Sequence, residues 1–193
     1  MTNTAVSRAS TVHTSLLSEL NKEHIILTEN LVLRPVEIAD TDDYAKLFGD
    51  AEVMRYVGLE EGQVLSYVET TQLVAGAADG WTNRGWGRWS IFDRDTGEFI
   101  GFCGYRAEEG KPELISIVGQ EFWGTGRAQE ANEACLAYGF TALGFEEIVS
   151  FTRPTNLRAR GLLKKLGAAF VGTVDFHGVE GLAYELTPSR HIR

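Results

Sequence analysis

The chain has 193 residues, 44% apolar and 23% charged, which suits one soluble globular domain with a sizeable core. Its net charge of −9 argues against nucleic acid as the main ligand and favours approach of a cation such as an amine. The two cysteines, Cys103 and Cys135, give neither a metal spacing nor a disulfide framework, and no apolar run can span a membrane, so buried free thiols and a cytoplasmic location are expected.

Met1–Ser10 is small and polar and reads as disordered, and Thr14–Glu23 as a short helix. Residues 1–25 thus form an extension, and 26–193 a single domain. Asn30–Val36 predicts a strand stopped near Pro35. Asp40 or Thr41 is placed to cap a helix over Asp42–Phe48, and Asp50–Tyr56 reads as a further helical turn. Glu60–Ala75 has an amphipathic pattern with Val64, Tyr67, Val68 and Thr71 on its inward face. Gly76–Gly85 reads as a glycine-rich break. Trp86–Phe92 and Glu98–Tyr105 form a hairpin about an Asp/Gly turn, with Gly101 and Gly104 marking a bulge or a close neighbouring backbone. Glu108–Pro112 is a turn and Glu113–Val118 a strand. The helix over Arg127–Phe140, the strand Glu147–Thr152, the helix Asn156–Leu166 ended by Gly167, and a last hairpin of Phe170–Val174 and Leu182–Leu186 complete the chain.

Phe122–Glu130 joins the strand ending at Val118 to the helix beginning at Arg127. Gly124 and Gly126 free the backbone to approach a ligand, and the helix start offers unpaired N–H donors and the positive end of a dipole. Such a turn suits an anion, most often a phosphate; the alternative is an ordinary loop with two turn glycines. Two familiar phosphate loops do not fit. Thr125 stands where a P-loop spacing from Gly119 and Gly124 needs lysine, and Gln129 stands where a dinucleotide fingerprint needs glycine. A third kind of phosphate-bearing ligand is implied.

Leu31–Arg34 before a capped helix, the hairpin, Glu113–Val118, Trp123-Gly-Thr-Gly-Arg-Ala, Asn156 and Lys165-Leu-Gly together resemble the GNAT superfamily of acetyl-CoA-dependent N-acetyltransferases. The branch is similar to the ribosomal-protein N-terminal alanine acetyltransferases, and the likeness runs from Ile26 to the end. It implies an α/β (α+β) fold, a mixed, mostly antiparallel sheet splayed at the fourth and fifth strands and flanked by helices. It also implies acetyl-CoA as co-substrate, with no metal. The family's pyrophosphate loop falls on Trp123–Ala128, with Trp123 where others carry Gln or Arg. Backbone N–H groups of Gly124, Thr125, Gly126, Arg127, Ala128 and Gln129 would then cradle the diphosphate. The pantetheine arm would pair with Ile117 and Val118, the Val118 N–H would polarise the thioester carbonyl, and Asn156 would bond the pantetheine as well as cap its helix.

The same resemblance assigns Glu113 a position that often faces the acceptor, where it would take the amine proton directly or through water; the alternative is a solvated strand-end glutamate. His177 is a second candidate base. Leu163 and Ala159 stand where relatives have tyrosine or serine, so no general acid is read. Arg158, Arg160, Lys164 and Lys165 either meet the coenzyme's ribose phosphate or form a solvated basic face. Trp81, Trp86, Trp89 and Tyr105 are core candidates, of which one or two could line the acceptor cleft. The implied function is acetyl transfer to a primary amine on a small molecule or a protein N-terminus, in a ternary complex, by a monomer or homodimer. Transfer of another acyl group, or a non-catalytic acyl-CoA-binding module, are the alternatives.

Overall fold

The computed structural model describes residues 24–58, 60–108, 110–176 and 178–190. The expected helix at Thr14–Glu23 and the candidate base His177 lie outside them. Eight strands form one sheet: β1 (Ile26–Leu27), β2 (Leu31–Pro35), β3 (Arg88–Asp93), β4 (Phe99–Glu108), β5 (Lys111–Val118), β6 (Ile148–Thr152), β7 (Ala169–Phe176) and β8 (Val179–Leu186). Their spatial order is β1-β2-β3-β4-β5-β6-β8-β7, and all neighbours are antiparallel except β5 and β6. Four α-helices flank the sheet: α1 (Thr41–Phe48), α2 (Tyr67–Arg84), α3 (Arg127–Thr141) and α4 (Leu157–Lys165). No helix among the described residues is long and apolar enough to cross a membrane. This is the mixed, mostly antiparallel α/β sheet that the resemblance implied. The added two-residue β1 makes Lys111–Val118 the fifth strand rather than the fourth.

Strand alternation sorts the core onto two faces. Leu33, Trp89, Ile91, Cys103, Tyr105, Leu114 and Val118 pack with Ala131, Cys135 and Leu136 of α3. Phe102, with Ile115 and Ile117 against it, packs with Tyr44, Phe48 and Val74 of α1 and α2. All four aromatic candidates, Trp81, Trp86, Trp89 and Tyr105, pack in or against the α3-side core. The thiols of Cys103 and Cys135 are buried and 2.8 Å apart, because β4 and α3 bring together what the sequence separates.

Two expectations are corrected. The segment 76–85 is not a break: α2 runs through Gly76 and Gly80 to Arg84 and stops at Gly85, which takes the left-handed conformation at φ 74°. A capping box between Ser66 and Glu69 starts this helix, and burial of Thr70, Val74 and Gly80 offsets the roughly 1 kcal/mol that each glycine costs. The inward face also differs. Val64, Tyr67 and Val68 are 44%, 58% and 65% exposed, and the face carrying Thr70 and Val74 meets the core instead. Asp40 stands at the N-cap of α1 without capping it. Its carboxylate is held by Arg34, by the Ser90 hydroxyl (2.7 Å) and by the Glu37 N–H (3.0 Å), which fastens the helix start to β2 and β3.

Candidate functional site

β5 follows β4 through its whole length, to the pair Gly101–Val118. Its far edge meets β6 at a single register pair among the described residues, Glu113–Val149. The Ser150 hydroxyl reaches the Leu114 carbonyl at 3.0 Å, and beyond it the two strands part. Which backbone groups face this gap follows from the ladder. The Gly119 N–H bonds Ile100 at 2.9 Å, so by alternation Ile117 and Ile115 also direct their N–H and C=O to β4. Leu114, Ser116 and Val118 direct theirs into the gap. The Trp123 indole confirms this sense by donating to the Val118 carbonyl at 3.0 Å. Val118 therefore turns its backbone groups to the gap. Ile117 does not, although it lines the cavity, and Ser116 is a gap-facing residue that the sequence did not single out. Gly101 makes the close approach possible: a Cβ there would lie 2.7 Å from the Val118 Cα.

The gap opens into a cavity of about 390 Å³, lined by Ser116, Ile117, Val118, Trp123, Gly124, Gly126, Ala128, Gln129 and Asn156 among others. Gly124 and Gly126 adopt φ 75° and 89°, and a Cβ on either would meet nothing within 4 Å, so the loop presents bare backbone to open space. The first bond within α3 is Glu130 N–H to Gly126 C=O, at 3.0 Å. The N–H groups of Arg127, Ala128 and Gln129 thus have no partner within the helix and lie at its positive end. The Thr125 hydroxyl sits 3.4 Å from the Arg127 N–H, and the Arg127 side chain bonds Asp93 at 2.9 Å, tying the loop to the β3–β4 turn. Neither residue lines the cavity. Glu130, holding Thr28 (2.6 Å) and Asn30 (2.8 Å), fixes the other side of the helix start.

Asn156 caps α4, its side-chain oxygen accepting the Ala159 N–H at 3.1 Å, while the residue lines the cavity. Asn156→Ala is expected to cost about 1 kcal/mol of stability, and Asn156→Asp, which keeps the acceptor, much less; urea denaturation of the two variants checks this. Of the basic residues on α4, Arg158 and Lys165 line the cavity. The Arg158 guanidinium lies 3.6 Å from the Trp123 ring centre and 3.5 Å from Glu52. Arg160 instead bonds the Pro154 carbonyl at 2.9 Å, and Lys164 is exposed.

A second cavity, of about 710 Å³, adjoins the first. Tyr56, Val57, Ser116, Ile117, Asn156 and Ala159 border both. Its aromatic lining comes from Phe48, Tyr56, Phe102 and Phe151, not from the four aromatics that the sequence suggested. Parity along a strand separates two faces but does not say which is the cleft.

Glu113 lies in this cavity, and it is not a solvated strand end. It is the third residue of β5, because β4 and β5 continue through what read as a turn at Glu108–Pro112. It is 3% exposed and ion-paired with Arg106, its register partner on β4. Burial pushes its carboxyl above its ordinary value, and Arg106 pulls it part of the way back. Leu163 and Ala159 also line the cavity and bring no acidic proton. Cys103 and Cys135 line neither cavity, and burial raises the Cys135 thiol well above its ordinary value. Among the described residues no three His, Cys, Asp or Glu side chains cluster as a metal ligand set.

The family described as "Acetyltransferase (GNAT) domain" matches residues 30–169. The chain is 32% identical over 162 residues to the "uncharacterized N-acetyltransferase p20" of Bacillus licheniformis, covering 81% of this chain and 89% of that one. In fold it is similar to an acetyltransferase from Agrobacterium tumefaciens strain C58, with a TM-score of 0.74, 24% identity and coverage of 86% and 96%. It is also similar to RimL, a ribosomal L7/L12 α-N-protein acetyltransferase in complex with coenzyme A, with a TM-score of 0.72, 17% identity and coverage of 85% and 98%.

Proposed function

The chain belongs to the GNAT acetyltransferase family and is an acetyltransferase, and from that premise we propose that it moves acetyl from acetyl-CoA to a primary amine by direct attack in a ternary complex. The observation that carries this reading is the meeting of two cavities at the parting of β5 and β6. One ends in a backbone anion cradle and the other in a buried carboxylate. Acetyl-CoA, when bound, supplies an acyl group activated as a thioester.

The cradle of Gly124–Gln129 fits the diphosphate: two glycines without side chains, a helix start, and no Cβ in the way. The Val118 N–H faces the gap, where a donor aimed at developing negative charge on the thioester oxygen is worth about 3 kcal/mol. Asn156 and Ser116 border both cavities, which supports a role for them in holding the arm between the two. Glu113 accepts the amine proton. It stands five residues from Val118, about 16 Å at ~3.3 Å per residue, too far for one side chain, so the proton travels through water or the amine binds part-way along the strand. The leaving thiolate, with an ordinary pKa of about 8.5, departs unaided or takes a proton from water, since Leu163 and Ala159 offer none. The burial of both thiols away from the cavities supports transfer without an acyl-cysteine.

Release of free thiol from acetyl-CoA, measured across a panel of small amines and short peptides, tests the reading. Turnover that depends on the amine is expected. Tight acetyl-CoA binding with no amine-dependent release anywhere in the panel would overturn it.

A further inference from the structure

Arg88 opens β3, opposite Gly104 of β4, which in turn lies opposite Ile115 of β5. Directly opposed residues share a face, so Arg88, Phe102, Arg106, Glu113 and Ile115 all project to the side that holds the second cavity. All five line it. Gly104, midway between Arg88 and Ile115, contributes no side chain, and a Cβ there would lie 2.7 Å from the Arg88 Cα. The Arg88 guanidinium lies across the Phe102 ring, 5.4 Å from its centre.

Three arginines line this cavity, and they differ in their partners: Arg153 donates to the Gly58 carbonyl at 2.9 Å. Arg106 is paired with Glu113 and lies 3.9 Å from Glu108. Arg88 is partly buried, and among the described residues no carboxylate lies within 4.0 Å of it and no acceptor takes a hydrogen bond from its side chain. Burial lowers its pKa from the ordinary value, and the nearby charge of Arg106 adds to this, while Tyr44 and Glu113 oppose it. A guanidinium carries five donors in a planar fork, and that of Arg88 lines the cavity with its donors untaken by protein acceptors among the described residues. The partner that matches the fork is a carboxylate, held by two parallel bonds.

We propose that Arg88 receives a carboxylate carried by the acceptor, so that the amine acetylated belongs to a free amino acid. This deepens the acetyl-transfer reading and rests on it. Arg88 and Glu113 sit on one cavity floor, two strands apart and two residues out of register, about 12 Å between backbones, a gap that their two side chains shorten from either end. Carboxylate on the former and amine toward the latter is the arrangement of an α-amino acid. Phe48, Met54, Leu65, Leu73 and Phe151 supply an apolar part of the remaining wall, which suits an apolar side chain.

Three acceptors share one side chain and differ only at the carboxylate: phenylalanine, phenylalaninamide and phenethylamine. Thiol release from acetyl-CoA gives kcat/KM for each, normalised to the free-amine fraction. Wild-type protein is expected to prefer phenylalanine over both neutral amines by at least tenfold. In Arg88→Gln the loss on phenylalanine should exceed the loss on phenethylamine by at least tenfold, with Arg88→Lys between, since it keeps the charge and lacks the fork. Acetyl-CoA affinity, measured calorimetrically, reports that each variant is folded. A wild-type preference for the neutral amines, or equal losses on acid and amine, overturns the inference and leaves acetyl transfer standing. Absence of turnover with all three acceptors and with the wider amine panel overturns both.

Discussion

Glu113→Gln is expected to slow amine acetylation by about 10²- to 10⁴-fold near neutral pH, the usual contribution of a positioned base. An ammonium has no free lone pair, so attack waits on removal of a proton. Glu113 is the buried carboxylate on the floor of the second cavity, and burial holds its pKa above the ordinary value despite Arg106. A raised value makes it a stronger proton acceptor than a surface glutamate. Glutamine keeps the shape and removes the base. The deficit should shrink as pH rises toward the amine's own pKa, where free amine no longer needs to be generated. Acetyl-CoA affinity should hardly change, because Glu113 does not line the cradle cavity. A pH–rate profile of both proteins with one identified acceptor decides the matter, and superimposable profiles would remove Glu113 from the chemistry.

Stability supplies a second, independent sign. A carboxyl whose folded-state pKa is raised favours the protonated form on folding. Its contribution is full below the ordinary glutamate range and is lost as pH climbs through the raised native value. Glutamine cannot ionise and does not suffer that loss. Arg106, 38% exposed in its side chain, can turn to water when its partner is neutral. The melting temperature of Glu113→Gln relative to wild type should therefore rise as pH climbs from the ordinary glutamate range through the raised native value. A relative fall over that range would mean that the ion pair outweighs the burial.

Gly126→Asp should lower acetyl-CoA affinity at least a hundredfold, about 2.7 kcal/mol. Gly126 sits at the N-cap of α3 with φ 89°, a conformation that costs most residues 1–2 kcal/mol and aspartate somewhat less. The new side chain meets no protein atom within 4 Å of its Cβ, so it enters the open groove and leaves the core intact. There its charge opposes the diphosphate. Two like charges 4 Å apart repel by about 4 kcal/mol at an effective dielectric of 20, which exceeds the backbone strain. Gly126→Ala, with the strain and without the charge, should lose much less. Calorimetric titration of the three proteins separates the terms, and a folded Gly126→Asp protein with undiminished affinity would mean that the diphosphate lies elsewhere.

How much of this site the sequence could show depended on how far along the chain each feature reaches. The cradle was legible because it is local. Two glycines and a helix start within nine residues fix where backbone N–H groups point, whatever the rest of the chain does. The cap at Asn156 and the stop at Gly167 are local in the same way. The length of α2 is not legible locally, because glycine propensity points one way and burial of the Val74 face the other, and packing wins.

Everything that crosses the sheet was decided by tertiary structure. Glu113 meets Arg106 only because β4 and β5 run on past the expected turn in one register. The same ladder turns the groups of Val118 and Ser116, and not those of Ile117, into the gap. Cys103 meets Cys135, 32 positions on, and Arg88 shares one cavity floor with Glu113, 25 positions on. Period-two alternation states which residues share a face, but register and the placement of helices decide which face is core and which is cleft. The amino-acid sequence by itself thus determined that bare backbone and a helix start meet at Gly124–Gln129. Only the packing of eight strands against four helices decided what stands opposite that turn, because a backbone cradle is made by consecutive residues and the facing cavity by residues that meet through the fold.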